Sequence, residues 1–180
     1  MDLRLLGPLE AQLEDRPIEL GPRKQRAVLA MLALAPGRTV SSDRLIEGLW
    51  GDAPPATAPK MVQLYVSHLR RLLEGDGVRI ATRGRGYELQ LSDGEVDTVR
   101  FEQLLEASQP REALALWRGD ALADVASEPF AAAEIRRLDD LRLRAAELAI
   151  AERPAAGRHD DVLAELGVDP VLRTPWSFRR

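Results

Sequence analysis

The side chains best suited to ligand binding are cationic and amide groups concentrated between Thr57 and Tyr87. This stretch holds six basic and two acidic residues, although the whole chain of 180 residues carries a net charge of −4. Guanidinium, ammonium and amide groups donate hydrogen bonds to phosphate oxygens and to the edges of purine bases. A basic segment inside an otherwise acidic protein therefore predicts a local surface that binds a polyanion.

Most of these groups lie on one face of a predicted helix, which is capped by Thr57, has Pro59 in its first turn and runs through Leu73. At about 100° per residue, the helix divides into an apolar arc and a polar arc. The apolar arc contains Met61, Val62, Tyr65, Val66, Leu69, Leu72 and Leu73. The polar arc contains Lys60, Gln63, Leu64, Ser67, His68, Arg70 and Arg71, and lacks acidic residues.

A helix with one packing face and one donor-rich face suits the major groove of duplex DNA, which admits a single helix. We predict that it contacts DNA through Thr57, Lys60, Gln63, Ser67, Arg70 and Arg71; the alternative is a solvated surface face. Arg71 is central and suits a base or a phosphate. Arg70 lies near the edge of the arc, where it could pair with an acid or touch phosphate.

A second basic feature follows the helix. The segments Val78 to Thr82 and Tyr87 to Leu91 flank Arg83-Gly84-Arg85-Gly86, which predicts a β-hairpin with Arg83 and Arg85 at its tip. Such arginines can reach a backbone phosphate or a narrow minor groove; they could also simply solubilise the turn. The two glycines open no helix, so a nucleotide-binding loop is a weak alternative.

Other elements must position these two features. Glycine and proline break residues Asp2 to Leu20 into two or three predicted strands. Apolar spacing predicts helices from Arg23 to Leu34 and from Ser42 to Trp50, with Ser41 or Ser42 as the second cap. Residues 1–93 are therefore predicted to be an α+β winged helix-turn-helix domain.

The chain becomes acidic and alanine-rich after a predicted linker, Ser92-Asp93-Gly94. Helical patterns separated by glycine turns predict an all-α, helical-hairpin domain of the tetratricopeptide-like kind over residues 94–180. The predicted helices surround Phe101 to Leu105, Ala113 to Trp117, Phe130 to Ile150 and Asp160 to Leu166.

The composition argues against a catalytic site or a metal site. The chain has no cysteine and two histidines, and His159-Asp160-Asp161 is a poor ligand set. We predict no catalytic residue, cofactor or metal, and hence no enzyme. Charged residues interrupt the amino-terminal apolar runs, so we expect a cytoplasmic protein without a membrane segment.

The motifs resemble those of the SARP (Streptomyces antibiotic regulatory protein) family, transcription regulators that join an OmpR/PhoB-type winged helix to a bacterial transcriptional activation domain. The resemblance covers roughly residues 1–161. It rests on LGPLE at Leu6, GPRKQRAVLAMLAL at Gly21, VSSDRLIEGLWGD at Val40, VQLYVSHLRRLLE at Val62, RGRGYEL at Arg83, VDTVRFEQLLE at Val96 and ALALWRGDALAD at Ala113.

The resemblance implies an activator whose third helix reads the major groove while its wing contacts the flanking backbone or minor groove. It implies protomers side by side on direct repeats of duplex DNA, a homodimer at least on DNA, and contact with RNA polymerase holoenzyme. Between Phe101 and Ala113, where the family has a longer hairpin, only LLEASQPRE remains here, so the activation domain is expected to be shortened. The alternative function is a dimerising antagonist or adaptor that occupies sites or binds partners without activating.

Overall fold

The computed structural model describes residues 1–13, 16–73, 78–91 and 95–151. Within them, a small sheet leads into three helices, a hairpin follows, and the second half is helical. The first half contains β1 (Asp2–Arg4), β2 (Glu10–Leu13), β3 (Arg16–Pro17), α1 (Arg23–Ala33), β4 (Thr39–Ser41), α2 (Ser42–Trp50), α3 (Ala58–Leu72), β5 (Val78–Arg83) and β6 (Gly86–Leu91). The second half contains β7 (Glu95–Val96), α4 (Asp97–Glu106), α5 (Pro110–Leu114) and α6 (Ala131–Ala151).

The predicted strands, three helices and hairpin of the first half are all present, with ends within about two residues of those expected. Ser41 caps α2, because its hydroxyl accepts a hydrogen bond from the Arg44 amide at 3.1 Å. The predicted side-chain cap at Thr57 is wrong. Thr57 already has helical backbone angles, and its hydroxyl lies 3.6 Å from the Met61 sulfur instead of bonding a free amide.

Helices α1, α2 and α3 pack around a shared core that the sheet β4-β6-β5 covers. The core forms because each helix contributes an apolar stripe with three-four spacing. In α3 the fully packed members of that stripe are Val62, Val66 and Leu69. The stripe fixes the rotation of α3 about its axis and turns Lys60 and Arg71 toward solvent.

The helical half has its own core, in which the Phe101 and Trp117 rings meet edge to face, 5.8 Å apart at 80°. The helix predicted over Ala113 to Trp117 lies earlier in the chain, as α5, so those bounds are wrong. Pro110 can begin a helix because the first turn needs no amide donor there. Ser108, with φ of 56°, ends the preceding turn. The helix predicted over Asp160 to Leu166 lies outside the described residues.

Strand pairing and side-chain packing connect the two halves. Strand β7 pairs in parallel with β1, so the N-terminal sheet has the order β3-β2-β1-β7. Leu122 and Val125 are buried in the first core, whereas Leu6 is buried in the second. Each described core thus contains residues from both halves. The division into two domains at residue 93 therefore stays a prediction.

A buried carboxylate joins the halves at the end of β1. Asp97, the first residue of α4, accepts hydrogen bonds from the Leu5 and Leu6 amides at 2.7–2.9 Å. Burial raises the pKa of this carboxyl above its ordinary value, against the lowering effect of those amides and of Arg118. Two unpaired strand-end amides are thereby satisfied inside the protein.

Helix α1 is held to the second half by ion pairs. Glu128 lies 2.9 Å from the Arg23 Nε and 2.7 Å from the Lys24 Nζ. Arg26 pairs with Asp124, whose other oxygen accepts the Leu9 amide at 2.8 Å. These contacts attach the helical half to α1, which packs directly against α3.

Candidate nucleic-acid interface

The outward face of α3 is the centre of the predicted interface. All eight residues predicted to bind DNA are exposed, and the six on or beside α3 follow one surface of the helix. Lys60, Gln63, Ser67 and Arg71 form no hydrogen bond or ion pair with any part of the chain that the structure describes. Their donors are available to an external acceptor.

Two residues of the helix depart from the predicted arcs. The helical projection predicts Leu72 on the packing face, but its side chain is 38% exposed. It lines a shallow pocket together with Arg71 and His68. The same projection predicts His68 on the outward face, but it is half-buried. Its Nδ1 donates a hydrogen bond to the Gln25 side-chain oxygen at 3.2 Å. These two residues lie on the same side of α3, one turn apart, so local packing decides their exposure: Gln25 of α1 contacts His68, whereas Leu72 is the last residue of the helix.

Gln25 is a positioning residue that the sequence argument missed. It is buried in α1, and its amide nitrogen donates to the Leu20 carbonyl at 2.8 Å while its oxygen accepts from His68. The available signal was that Gln25 lies one turn before Val28 and Leu29, at the start of the apolar stripe of α1. The bond joins α1 to α3 at His68, three residues before Arg71.

Arg70 differs from its neighbour because it faces the hairpin. Its Nε donates to the Ile80 carbonyl at 2.8 Å, and its Nη2 donates to the Thr82 hydroxyl at 2.8 Å. Its guanidinium also lies 5.9 Å from the centre of the Tyr87 ring. Arg70 remains partly exposed, but these bonds make it the link between α3 and β5.

The hairpin tip is a two-residue turn formed by Gly84 and Arg85. Gly84 has a φ of +54°, which glycine adopts without strain. Gly86 permits close strand packing, because a Cβ there would lie 2.4 Å from the Val40 carbonyl oxygen. The carbonyl of the tip residue Arg85 accepts a hydrogen bond from the Ser42 amide at 2.9 Å, which connects the tip to the start of α2.

The two tip arginines are not equivalent. Arg83 Nε donates to a Glu88 side-chain oxygen at 3.1 Å. A hydrogen bond from Gln90 and the contact with Arg83 lower the pKa of Glu88 below its ordinary value, against the raising effect of burial. The Arg85 guanidinium has no such partner within the described residues. Arg85 is therefore the arginine of the tip that is free to bind phosphate.

The described residues offer neither a metal site nor a membrane-spanning helix. No group of three or more histidine, aspartate or glutamate side chains there could hold a metal ion. None of the helices described is both long and apolar enough to cross a membrane. His159, with its neighbouring aspartates, lies outside the described residues.

Two family models match the chain. The model described as "Transcriptional regulatory protein, C terminal" matches residues 15–89. The model described as "Bacterial transcriptional activator domain" matches residues 91–169. The first match contains α3 and all but the last two residues of the hairpin, and the second contains all three helices described in the second half.

Similar proteins include regulators from Streptomyces and Mycobacterium species. Regulatory protein DnrI of Streptomyces peucetius is 32% identical over 98% of this chain and 75% of its own length. Transcriptional regulatory protein EmbR of Mycobacterium tuberculosis is 37% identical over 92% of this chain and 47% of its own length. Regulatory protein AfsR of Streptomyces coelicolor is 34% identical over 90% of this chain and 18% of its own length.

The fold also matches a solved structure, that of Mycobacterium tuberculosis EmbR in complex with a low-affinity phosphopeptide. The TM-score is 0.72 at 34% sequence identity, and the match covers 92% of this chain and 48% of the EmbR chain. The chain thus spans about half of EmbR and less than a fifth of AfsR. The predicted fold class, a winged helix followed by a helical region, is confirmed.

Proposed function

Because the chain belongs to the SARP family of bacterial transcription regulators, we propose that it activates transcription by binding specific duplex DNA through α3 and the hairpin. In this proposal α3 enters the major groove. The hairpin acts as a wing whose tip residue Arg85 contacts the flanking backbone or the adjacent minor groove.

The observation that carries the proposal is the set of unpaired donors on α3. Lys60, Gln63, Ser67 and Arg71 lie on one exposed face, and no acidic residue lies between Ala58 and Leu73. This face therefore has no carboxylate of its own that could pair with its cations. An unpaired cationic face instead suits phosphates, whose release of counterions drives association.

The fixed arrangement of helix and wing supports simultaneous contact with two parts of the duplex. Arg70 bonds α3 to β5, and the Ser42 amide bonds the tip to α2. Two rigidly joined basic elements lose little conformational entropy on binding. We place Arg70 and Arg83 at the margin of the contact, because part of their hydrogen-bonding capacity is used within the protein, and Thr57 at the start of the reading helix.

The proposal extends to assembly and activation by analogy with the family. Two protomers would bind side by side on direct repeats, as a homodimer at least on DNA, and the helical half would contact RNA polymerase holoenzyme. The protein would then be cytoplasmic and associated with the nucleoid when bound. The ion pairs of Glu128 and Asp124 with α1 give the helical half a fixed position relative to α3.

DNA binding can be tested by selecting duplexes from a random library and titrating the selected site by fluorescence anisotropy at several salt concentrations. Arg85→Ala should weaken binding and reduce the slope of log K against log salt by about 0.9, the value for one phosphate contact. Arg71→Ala should either reduce that slope or relax the sequence preference at one position.

Arg136→Ala is the matched control, because Arg136 is exposed on α6 and has no partner among the described residues. It should leave both affinity and slope unchanged. Unchanged affinity and slope in both Arg71→Ala and Arg85→Ala would show that the interface is assigned to the wrong face. Transcription with purified polymerase then tests activation, and tight binding without stimulation would favour the antagonist.

A further inference from the structure

Leu64 is the most exposed large apolar side chain in the described part of the chain. It is 52% exposed and lies near the middle of α3, on the outward face. The core does not need it, since Val62, Val66 and Leu69 already pack the inner face. A single exposed leucine is ordinary on a protein surface, but on the face proposed to bind DNA it is placed to contact an apolar group of the ligand.

Hydrogen-bond donors lie along one side of this leucine on the helix surface. Lys60 lies one turn before it, Ser67 lies one turn after it, and Arg71 lies a further turn along the same surface. The exposed face is therefore an apolar spot beside a row of hydrogen-bond donors. The partner it complements carries acceptors beside a small apolar group.

The major-groove edge of a thymine has that pattern. It presents the C5-methyl group next to the O4 acceptor, and adjacent purines present N7 acceptors. A protein partner would need a comparable excess of acceptors to match a face that has no acid between Ala58 and Leu73. The charge of the face thus selects a polyanion with exposed methyl groups, which is duplex DNA containing thymine.

We propose that Leu64 contacts a thymine methyl group in the major groove and thereby specifies a T·A pair within each half-site. This inference rests on the proposed function, because it requires α3 to lie in the groove. It adds a specificity determinant that acts through apolar contact, separate from the hydrogen bonds and phosphate contacts of Lys60, Gln63 and Arg71.

The test replaces thymine by deoxyuridine, one position at a time, in a selected duplex and measures affinity by anisotropy. Deoxyuridine removes only the methyl group and leaves all hydrogen-bonding groups in place. For the unaltered protein, one position per half-site should show affinity about fourfold weaker, the effect of burying one methyl group. The other thymines should change affinity less than twofold.

The same scan is repeated with Leu64→Ala. This variant should bind the thymine duplex several-fold more weakly and should lose the response to deoxyuridine at that position, because the two changes remove the same contact. Leu148→Ala is the matched control: Leu148 is 40% exposed on α6, so the variant should retain the full response. Circular dichroism checks that each variant is folded.

The outcomes separate this inference from the function on which it rests. Failure of the unaltered protein to bind any selected duplex would overturn the proposed function. Binding with less than twofold change at every deoxyuridine position, or an equal response in Leu64→Ala, would overturn the role of Leu64 alone. A change in the sedimentation coefficient of DNA-free Leu64→Ala would overturn it too, because the leucine would then lie in an interface between protein chains.

Discussion

Arg70 and Arg71 are adjacent in the sequence but differ in their surroundings. Arg70 makes two hydrogen bonds of 2.8 Å to β5, whereas the side chain of Arg71 bonds nothing in the described structure. Successive residues of a helix are separated by about 100° around its axis, which is sufficient to send one toward the hairpin and the other toward solvent. The first arginine serves the fold, and the second is available to a ligand.

Arg70→Ala should lower the free energy of unfolding by about 1–2 kcal/mol, because it leaves the carbonyl of buried Ile80 without its charged donor. Arg71→Ala should change this free energy by less than about 0.5 kcal/mol, as is usual for exposed residues without partners. Urea denaturation followed by circular dichroism measures both. Equal stability of the two variants would contradict the division of roles.

At the scale of elements, the hairpin depends on two glycines for different reasons. Position 84 favours glycine because its φ is +54°, and not for lack of space, since a Cβ there would meet no atom within 4 Å. Position 86 requires glycine because there is no room for a side chain: a Cβ would lie 2.4 Å from the Val40 oxygen and 2.9 Å from the Thr39 methyl group. The turn and the junction between β4 and β6 are therefore separately constrained.

Gly86→Ala should destabilise the protein more than Gly84→Ala. The first change forces β4 and β6 apart, for which overpacking costs of about 1–3 kcal/mol are typical, and it also disturbs the bond from the Ser42 amide to the tip. The second should cost about 1–2 kcal/mol through φ alone. Thermal unfolding gives the comparison.

Gly84→Asn distinguishes strain from steric overlap, because asparagine tolerates left-handed backbone angles better than alanine. Its melting temperature should fall between those of the unaltered protein and Gly84→Ala. If Asn and Ala at position 84 were equally destabilising, backbone strain would not be the cause.

At the scale of the whole molecule, the two halves are coupled through α1. The Glu128 side chain is 2% exposed, and its two cationic partners, Arg23 and Lys24, both belong to the helix that packs on α3. Lys24 also donates to the Leu49 carbonyl and lies 5.3 Å from the centre of the Trp50 ring. A displacement of the helical half would therefore disturb the support of the reading helix.

Glu128→Gln should lower the free energy of unfolding by about 1–3 kcal/mol. The change leaves two cations without their buried counter-charge, and the effect falls below that of a fully buried pair because Arg23 and Lys24 can reach solvent. The control is Glu134→Gln, whose partner Arg137 is exposed and which should cost less than about 0.5 kcal/mol.

Urea denaturation measures both glutamate variants. Because Leu122, Val125 and Leu6 each lie in the core opposite to their own half, Glu128→Gln should shift a single transition instead of separating two. Two resolved transitions would show that the halves unfold independently.

The sequence by itself determined the helices of the first half, the outward face of α3 and the arginine hairpin. Apolar periodicity, glycine and the capping serine are local signals, and they specify an element and its packing face before any partner is known. Residues with such signals, including Val62, Val66 and Leu69, lie where they were expected.

Only the tertiary structure decided which distant groups meet. Strand β7 has two residues, too few for a period, and its pairing with β1 depends on the sheet edge already present. The attachment of Arg70 to β5, the bond between His68 and Gln25, and the exposure of Leu72 likewise depend on how α1 and the hairpin pack against α3. A helical period gives the direction of a side chain, but packing between distant segments determines what lies in that direction.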